Sequence, residues 1–250
     1  MGDTQIFTSE SVSEGHPDKV ADQISDALLD GFLAQDEEKH VEPKDRCRVA
    51  IETMLAHGVA IVSGEVTSQG YVNVQEVVRE TIKSIGYTDT KVGFDGENCG
   101  VLVSIQAQAS DIAMWVDTGG AGDQGMMFGM ATNETPDLMP LPISIAHALM
   151  RQSACVRWQD PRLGFRPDAK SQVSIQYENG KPKRIDTVVV SQQHEEIPIE
   201  EVRARIKAHI VDPALLEYSE FIDGDITYHF NPTGRFVRGG PAADTGLTGR

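Results

Sequence analysis

Four short segments hold the residue types that could do chemistry on a small charged substrate. Gly119-Gly120-Ala121-Gly122-Asp123-Gln124-Gly125 sets four glycines around one carboxylate and one amide. Glycine lets the backbone approach a ligand closely, so the loop can offer amide N–H groups or an acid to something small and polar. A plain glycine-rich connector is the alternative. In Ser11–Lys19 (SVSEGHPDK), His16 and Asp18 flank Pro17. Proline fits the first helical position, where its missing N–H is not needed. An imidazole and a carboxylate then stand near a helix N-terminus, which suits a phosphate and its magnesium. A capped helix start with a solvated Asp18 would use the same residues.

Arg166–Val173 (RPDAKSQV) brings Asp168 and Lys170 to the head of an alternating strand. From that edge an ammonium can project into a cleft or lie idle at the surface. Asn231–Pro241 (NPTGRFVRGGP) holds Arg235, able to pair bidentately with phosphate, beside Phe236, able to cover an aromatic base or to fill core. Glu52 and Glu65 interrupt apolar strands. A buried carboxylate wants a cation or donors, while an outward-facing position explains each equally well. Asp244 and Arg250 lie in the tail ADTGLTGR, where disorder is the simple alternative. His194, His209 and His229 lack metal-ligand spacing and read as structural. The chain has no Walker A sequence and no Gly-x-Ser-x-Gly elbow.

The elements that must position these residues follow from periodicity. Val20, Ile24, Ala27 and Leu28 predict a helix from Pro17 to about Gln35, and Asp36–Arg46 reads as a charged loop. Arg48–Leu55 and Val59–Thr67 predict two strands around His57-Gly58. Asn73 caps a helix with the stripe Val74, Val77, Val78, Thr81, Ile82, Ile85, stopped by Gly86. A strand over Val101–Gln106 precedes a mobile loop over Ala109–Asp123. A helix runs from Leu141 to about Val156, and Ser171–Tyr177 and Ile185–Val190 form a hairpin through Asn179-Gly180. Ile199–Val211 predicts an amphipathic helix ended near Pro213, and Ile226–Phe230 a last strand. Hairpins mixed with single helices predict α+β layers of mostly antiparallel sheet.

Composition narrows the partners. The 250 residues carry a formal charge of -16, which disfavours nucleic acid and anionic membranes. A small anionic substrate stays possible, because exposed charges are screened beyond about 8 Å at physiological salt. No apolar run approaches the ~18 residues that cross a bilayer, and no basic-then-apolar signal opens the chain. Ile6 argues against myristoylation. Cys47, Cys99 and Cys155 are odd in number and form no CxxC pair, so a reducing cytoplasm fits.

Taken in order, GHPDK, GAGDQG, RPDAKSQ and NPTGRFV with GLTGR resemble S-adenosylmethionine synthetase (methionine adenosyltransferase), and the likeness runs from Phe7 to Arg250. The resemblance implies three similar α+β domains about a pseudo-threefold axis, with a discontinuous chain path. Residues 1–14 with 134–239 would form the N-terminal domain and 15–107 with 240–250 a truncated central domain. Residues 108–133 would be a gating loop and the start of a C-terminal domain mostly absent. It implies a transferase that joins ATP and L-methionine into S-adenosylmethionine, then hydrolyses tripolyphosphate to pyrophosphate and phosphate. Magnesium, two ions per site, and potassium are the implied cofactors.

By matching motif positions, the implied catalytic residues are His16, Lys170 and Arg250. ATP contacts are His16, Asp168, Lys170, Arg235, Phe236, Asp244 and Arg250. Methionine contacts are Glu65, Gln108, Asp123 and Asp244, with Asp18 on magnesium and Glu52 on potassium. A homodimer or dimer of dimers is implied, cytoplasmic, with active sites shared between subunits. The family continues past GLTGR with further phosphate-binding lysines, so against that pattern the chain reads as an incomplete enzyme. Two rivals follow: a non-catalytic nucleotide-binding fragment or regulatory partner, and an ATP-dependent phosphotransferase, which would release ADP.

Overall fold

The computed structural model describes residues 4–42, 46–108 and 124–249. The expected loop over Ala109–Asp123, with its glycines, and also Arg250 lie outside the described residues. The chain divides into two compact units, Met1–His16 with Met130–Ala243 and Pro17–Gly129 with Asp244–Arg250. Each is an α+β layer of mostly antiparallel sheet covered by helices.

In the first unit the sheet has strand order β1-β5-β6-β7. These are β1 (Thr4–Val12), β5 (Phe165–Glu178), β6 (Lys181–His194) and β7 (Thr227–Phe230). The β5–β6 turn places Asn179 at φ 52° and Gly180 at φ 75°. Two positive φ values in a two-residue loop match the right-handed twist of the flanking strands. Val173, Ile175, Ile185, Val188 and Val190 alternate to one face and are fully buried. They pack against Ile145 and Leu149 of a helix over Leu141–Gln159 and against Val202, Ile206 and Ile210.

Two expectations differ here. β5 starts at Phe165, so Lys170 lies inside a central strand, opposite Val12 of β1 and Ser191 of β6. Pro167 and Asp168 break the apolar alternation there, and the β5–β6 register shifts between Phe165 and Ala169. An irregularity of that kind is where a sheet accepts proline. The helix over Ile199–Arg205 also does not stop near Pro213. It widens to a π-helix over Ile206–Val211 and continues as a helical turn over Asp212–Leu215. Proline near the start of that turn lacks an N–H the turn does not use.

In the second unit the order is β4-β3-β2-β8. These are β2 (Arg48–Ala56), β3 (Val59–Thr67), β4 (Gly100–Gln106) and the two-residue β8 (Gly246–Leu247). Two helices cover one face: α1 (Pro17–Glu38) and α2 (Val74–Ile85), the latter capped by Asn73 and closed by Gly86. Val20, Ile24, Leu28, Leu55, Val62, Val78 and Ile82 are fully buried. α1 runs three residues beyond the sequence expectation. Asp36 is buried in its last turn and accepts the Cys47 N–H at 2.6 Å, which turns a charged residue inward. The tail is ordered through Gly249, because Leu247 pairs with Met54 and the Thr248 N–H donates to the Thr53 carbonyl at 3.0 Å.

Two outcomes test these contacts. Gly64 lies in β3 at φ +138°, and a Cβ there would stand 2.0 Å from the Ala50 carbonyl oxygen; at Gly58 (φ +76°) a Cβ meets nothing within 4 Å. Gly58→Ala should cost about 1 kcal/mol and Gly64→Ala at least about 3 kcal/mol in urea denaturation. Equal losses would contradict the close approach. Burial, then the Asp36 carboxylate accepting its proton, pushes the Cys47 thiol up to about 11. The thiolate is the reactive form, so exposed Cys155 should alkylate at pH 8 while Cys47 stays protected until the pH nears 11. Fast labelling of Cys47 at pH 8, read by peptide mass, would contradict this.

Candidate functional site

In the first unit the motif residues meet at one end of the sheet. The turn after β1 docks on β5: the Ser13 N–H donates to the Ala169 carbonyl at 2.9 Å, and the Ser13 hydroxyl donates to the Pro167 carbonyl at 2.7 Å. The same hydroxyl oxygen accepts the Ala169 N–H at 2.8 Å. A Cβ on Gly15 would lie 2.4 Å from backbone atoms of Pro167, so only glycine permits the contact. His16 closes this turn, its N–H donating to the Ser13 carbonyl at 3.1 Å, and is 8% exposed.

Asp168 is also buried, and one carboxylate oxygen accepts the Gly240 N–H at 2.7 Å. That bond ties β5 to the loop over 231–240. Lys170, two residues further along β5, is exposed. Arg235 is exposed and ion-paired with Glu196. Phe236 is half-buried. Thus five implied ATP contacts, His16, Asp168, Lys170, Arg235 and Phe236, belong to this unit.

The loop itself is held by buried polar groups that sequence reasoning missed. Asn231 sits at φ 41°, and its side-chain amide pairs with Gln192 as a backbone would: Oδ1 accepts the Gln192 N–H at 2.7 Å and Nδ2 donates to the Gln192 carbonyl at 3.0 Å. Gln193 accepts the Asp168 N–H at 3.2 Å and donates to the Val237 carbonyl at 3.0 Å. The available signal was the run Ser191-Gln192-Gln193-His194, where an apolar strand turns polar while still in the sheet.

In the second unit Glu52 and Glu65 face the open side of the sheet. They line a cavity of about 360 Å³ with Ala50, Ser63, Gly64, Ser104 and Gln106. The ladder sets Glu52 opposite Ser63 and Glu65 opposite both Ala50 and Gln106. The two carboxylates are therefore diagonal neighbours, about 7–8 Å apart at Cα. Oxygen donors without a cation in the lining suit an ammonium or a monovalent metal ion.

Two carboxylates of α1 and one of β2 organise the tail. Asp18 accepts the Leu247 N–H at 3.0 Å, Asp22 the Gly249 N–H at 2.9 Å, and Glu52 the Thr248 hydroxyl. Asp18 is exposed and oriented by that bond. One oriented carboxylate fits magnesium in a nucleotide site, where phosphate and water supply the remaining ligands. Among the described residues no cluster of three metal-binding side chains forms a closed cage. Gln108 is half-buried at the end of the described segment, and Asp244 is exposed with one carboxylate oxygen accepting the Thr245 N–H at 2.9 Å. Asp123 and Arg250 lie outside the described residues.

Comparison with known proteins matches residues 4–110 to the N-terminal domain and residues 118–236 to the central domain of S-adenosylmethionine synthetase. The chain belongs to the S-adenosylmethionine synthetase family. It is 51% identical over 258 aligned residues to the S-adenosylmethionine synthase of Desulfosudis oleivorans. It is 50% identical over 255 to that of a Sulfurovum species (strain NBC37-1). Both alignments cover 100% of this chain and 64% of the relative. The two family domains follow one another along the sequence, whereas the compact units interleave, with the change between units falling between His16 and Pro17.

Gly15→Ala tests the convergence in the first unit. The added methyl must separate the His16 turn from β5, at a cost of about 1–3 kcal/mol as for other overpacked sites. Denaturant titration checks this, and an unchanged midpoint would show that the turn is not docked as described.

Proposed function

We propose that this chain serves the synthesis of S-adenosylmethionine from ATP and L-methionine, with later hydrolysis of tripolyphosphate to pyrophosphate and phosphate. One observation carries the reading. In the first unit the His16 turn, the Asp168–Lys170 strand and the Arg235–Gly240 loop are joined at one end of one sheet by Ser13 and Asp168. That end of the sheet carries segments bearing an imidazole, an ammonium, a guanidinium and an aromatic ring, which supports a reading as a triphosphate and adenine site.

The chemistry asks little of the protein beyond placement and charge. A neutral thioether sulfur attacks ribose C5′ in line without a general base. The breaking C5′–O bond gives its electron pair to the polyphosphate, leaving a sulfonium. Lys170, His16 and Arg250 stabilise the charge gathering on the leaving group, and Arg235 pairs with phosphate. Phe236 covers the adenine. Asp168 holds Gly240 and the loop behind it. Glu65, Asp123 and Asp244, with the amide of Gln108, receive the methionine ammonium and favour the growing positive charge.

Asp18 would hold magnesium and Glu52 potassium, two magnesium ions and one potassium per site. Magnesium, when bound, neutralises charge on the departing polyphosphate. We further propose a homodimer or dimer of dimers, with each active site drawing on two subunits, residues 108–133 as its gate and the cytoplasm as its compartment. The charge of -16 supports an absence of nucleic-acid partners, and no helix among the described residues is long and apolar enough to cross a membrane.

In the full-length protein supplied with ATP, methionine, Mg²⁺ and K⁺, methionine-dependent formation of S-adenosylmethionine without ADP is expected by mass analysis. Lys170→Ala should lower turnover by about 10²–10³-fold, as removal of one preorganised electrostatic contact does. Near-normal turnover in that variant, or ADP as the product, would refute the assigned roles.

A further inference from the structure

The histidine at the end of β6 holds the backbone of Phe236, one of the residues proposed to contact the nucleotide. His194 is fully buried and pairs with Phe165 at the last rung of the β5–β6 ladder. Its Nε2 accepts the Phe236 N–H at 3.0 Å, so that nitrogen carries no proton. Its Nδ1 lies 2.6 Å from the Glu195 carbonyl oxygen, which can only accept, so the proton resides on Nδ1. The His194 N–H in turn donates to the Phe236 carbonyl at 3.0 Å. One residue thus satisfies both backbone groups of Phe236, and Gln193 holds the next carbonyl, that of Val237.

The clamp matters because of what it restrains. The segment Asn231–Pro241 contains Pro232, Gly234, Gly239, Gly240 and Pro241 and has no regular structure before the short turn at Gly240–Ala242. Such a segment loses much conformational entropy on ordering. The side chain of Arg235 points to solvent and Glu196, and that of Phe236 is half-exposed, so side-chain packing alone does not fix the loop. A buried imidazole is well suited to the task, since it offers one donor and one acceptor on opposite sides of a rigid ring.

We propose, on the reading of Arg235 and Phe236 as nucleotide contacts, that His194 is a positioning residue for ATP. In its neutral Nδ1–H tautomer it fixes the Phe236 backbone, and through it the ring and the adjoining guanidinium. Neither the family match nor the sequence motifs assign this role.

Two substitutions separate positioning from packing in the full-length protein. Glutamine reaches to where Nε2 stands and can still accept the Phe236 N–H. Asparagine ends where Nδ1 stands, keeping the donor to Glu195 while leaving the Phe236 N–H without its acceptor. With ATP and Mg²⁺ as the probe, His194→Asn should raise the KM for ATP about tenfold more than His194→Gln, the scale of one lost buried hydrogen bond. The two should lose similar thermal stability. Equal KM values in the two variants would overturn the assignment. In the wild type, ¹⁵N-labelled histidine must report the Nδ1–H tautomer for His194, and an Nε2–H tautomer would overturn it however the variants fold. A wild type that binds no ATP overturns the functional reading and this role with it. A wild type that binds ATP, with equal variants, overturns this role alone.

Discussion

The close passage of Gly15 over Pro167 is the constraint from which the candidate site is built. A side chain at Gly15 would occupy the position of Pro167 backbone atoms. The turn can therefore lie flat on β5 only as glycine, and the Ser13 hydroxyl then bonds both the Pro167 carbonyl and the Ala169 N–H. Pro167 brings no N–H of its own, so the irregular stretch of β5 offers carbonyls where a regular strand would offer a ladder. Distant segments, Ser13–His16 and Pro167–Lys170, are fixed together by backbone geometry before any substrate is considered.

A second layer of restraint is polar. Gln192, Gln193, His194 and Asn231 are all almost fully buried, and each makes hydrogen bonds that bind the loop over 231–240 to the sheet. In a low-dielectric interior an unpaired group of this kind is heavily penalised, so the network tolerates few alternative loop positions. The exposed residues Lys170 and Arg235 can then face a solvated ligand from an ordered frame. Preorganised charge of this sort is what the proposed expulsion of a polyphosphate would ask for. The second unit applies the same logic to acids, where Asp18, Asp22 and Glu52 hold the tail through backbone and hydroxyl donors.

Local features were legible from the chain. Asn179-Gly180 announced its hairpin, and Asn73 with Gly86 bounded α2, because turn and cap chemistry is decided within a few residues. Non-local pairing was not. Two residues, Gly246 and Leu247, pair with β2 from nearly two hundred positions away, and no periodicity marks so short a strand. Lys170 was expected at the head of a strand because Pro167 and Asp168 interrupt the alternation, yet β5 passes through them. Likewise Pro213 reads as a stop, although the chain continues helical after a π-turn. The motif residues were legible as types. What orders them, Ser13, Gln193 and His194, looked like ordinary strand and turn residues.

The most direct test is a crystal structure of the full-length protein with a non-hydrolysable ATP analogue and Mg²⁺. The account predicts the adenine against Phe236 and the triphosphate within reach of His16 and Lys170, with the Phe236–His194 backbone bonds unchanged. An analogue bound away from that end of the sheet, or a Phe236 loop rebuilt on binding, would contradict it.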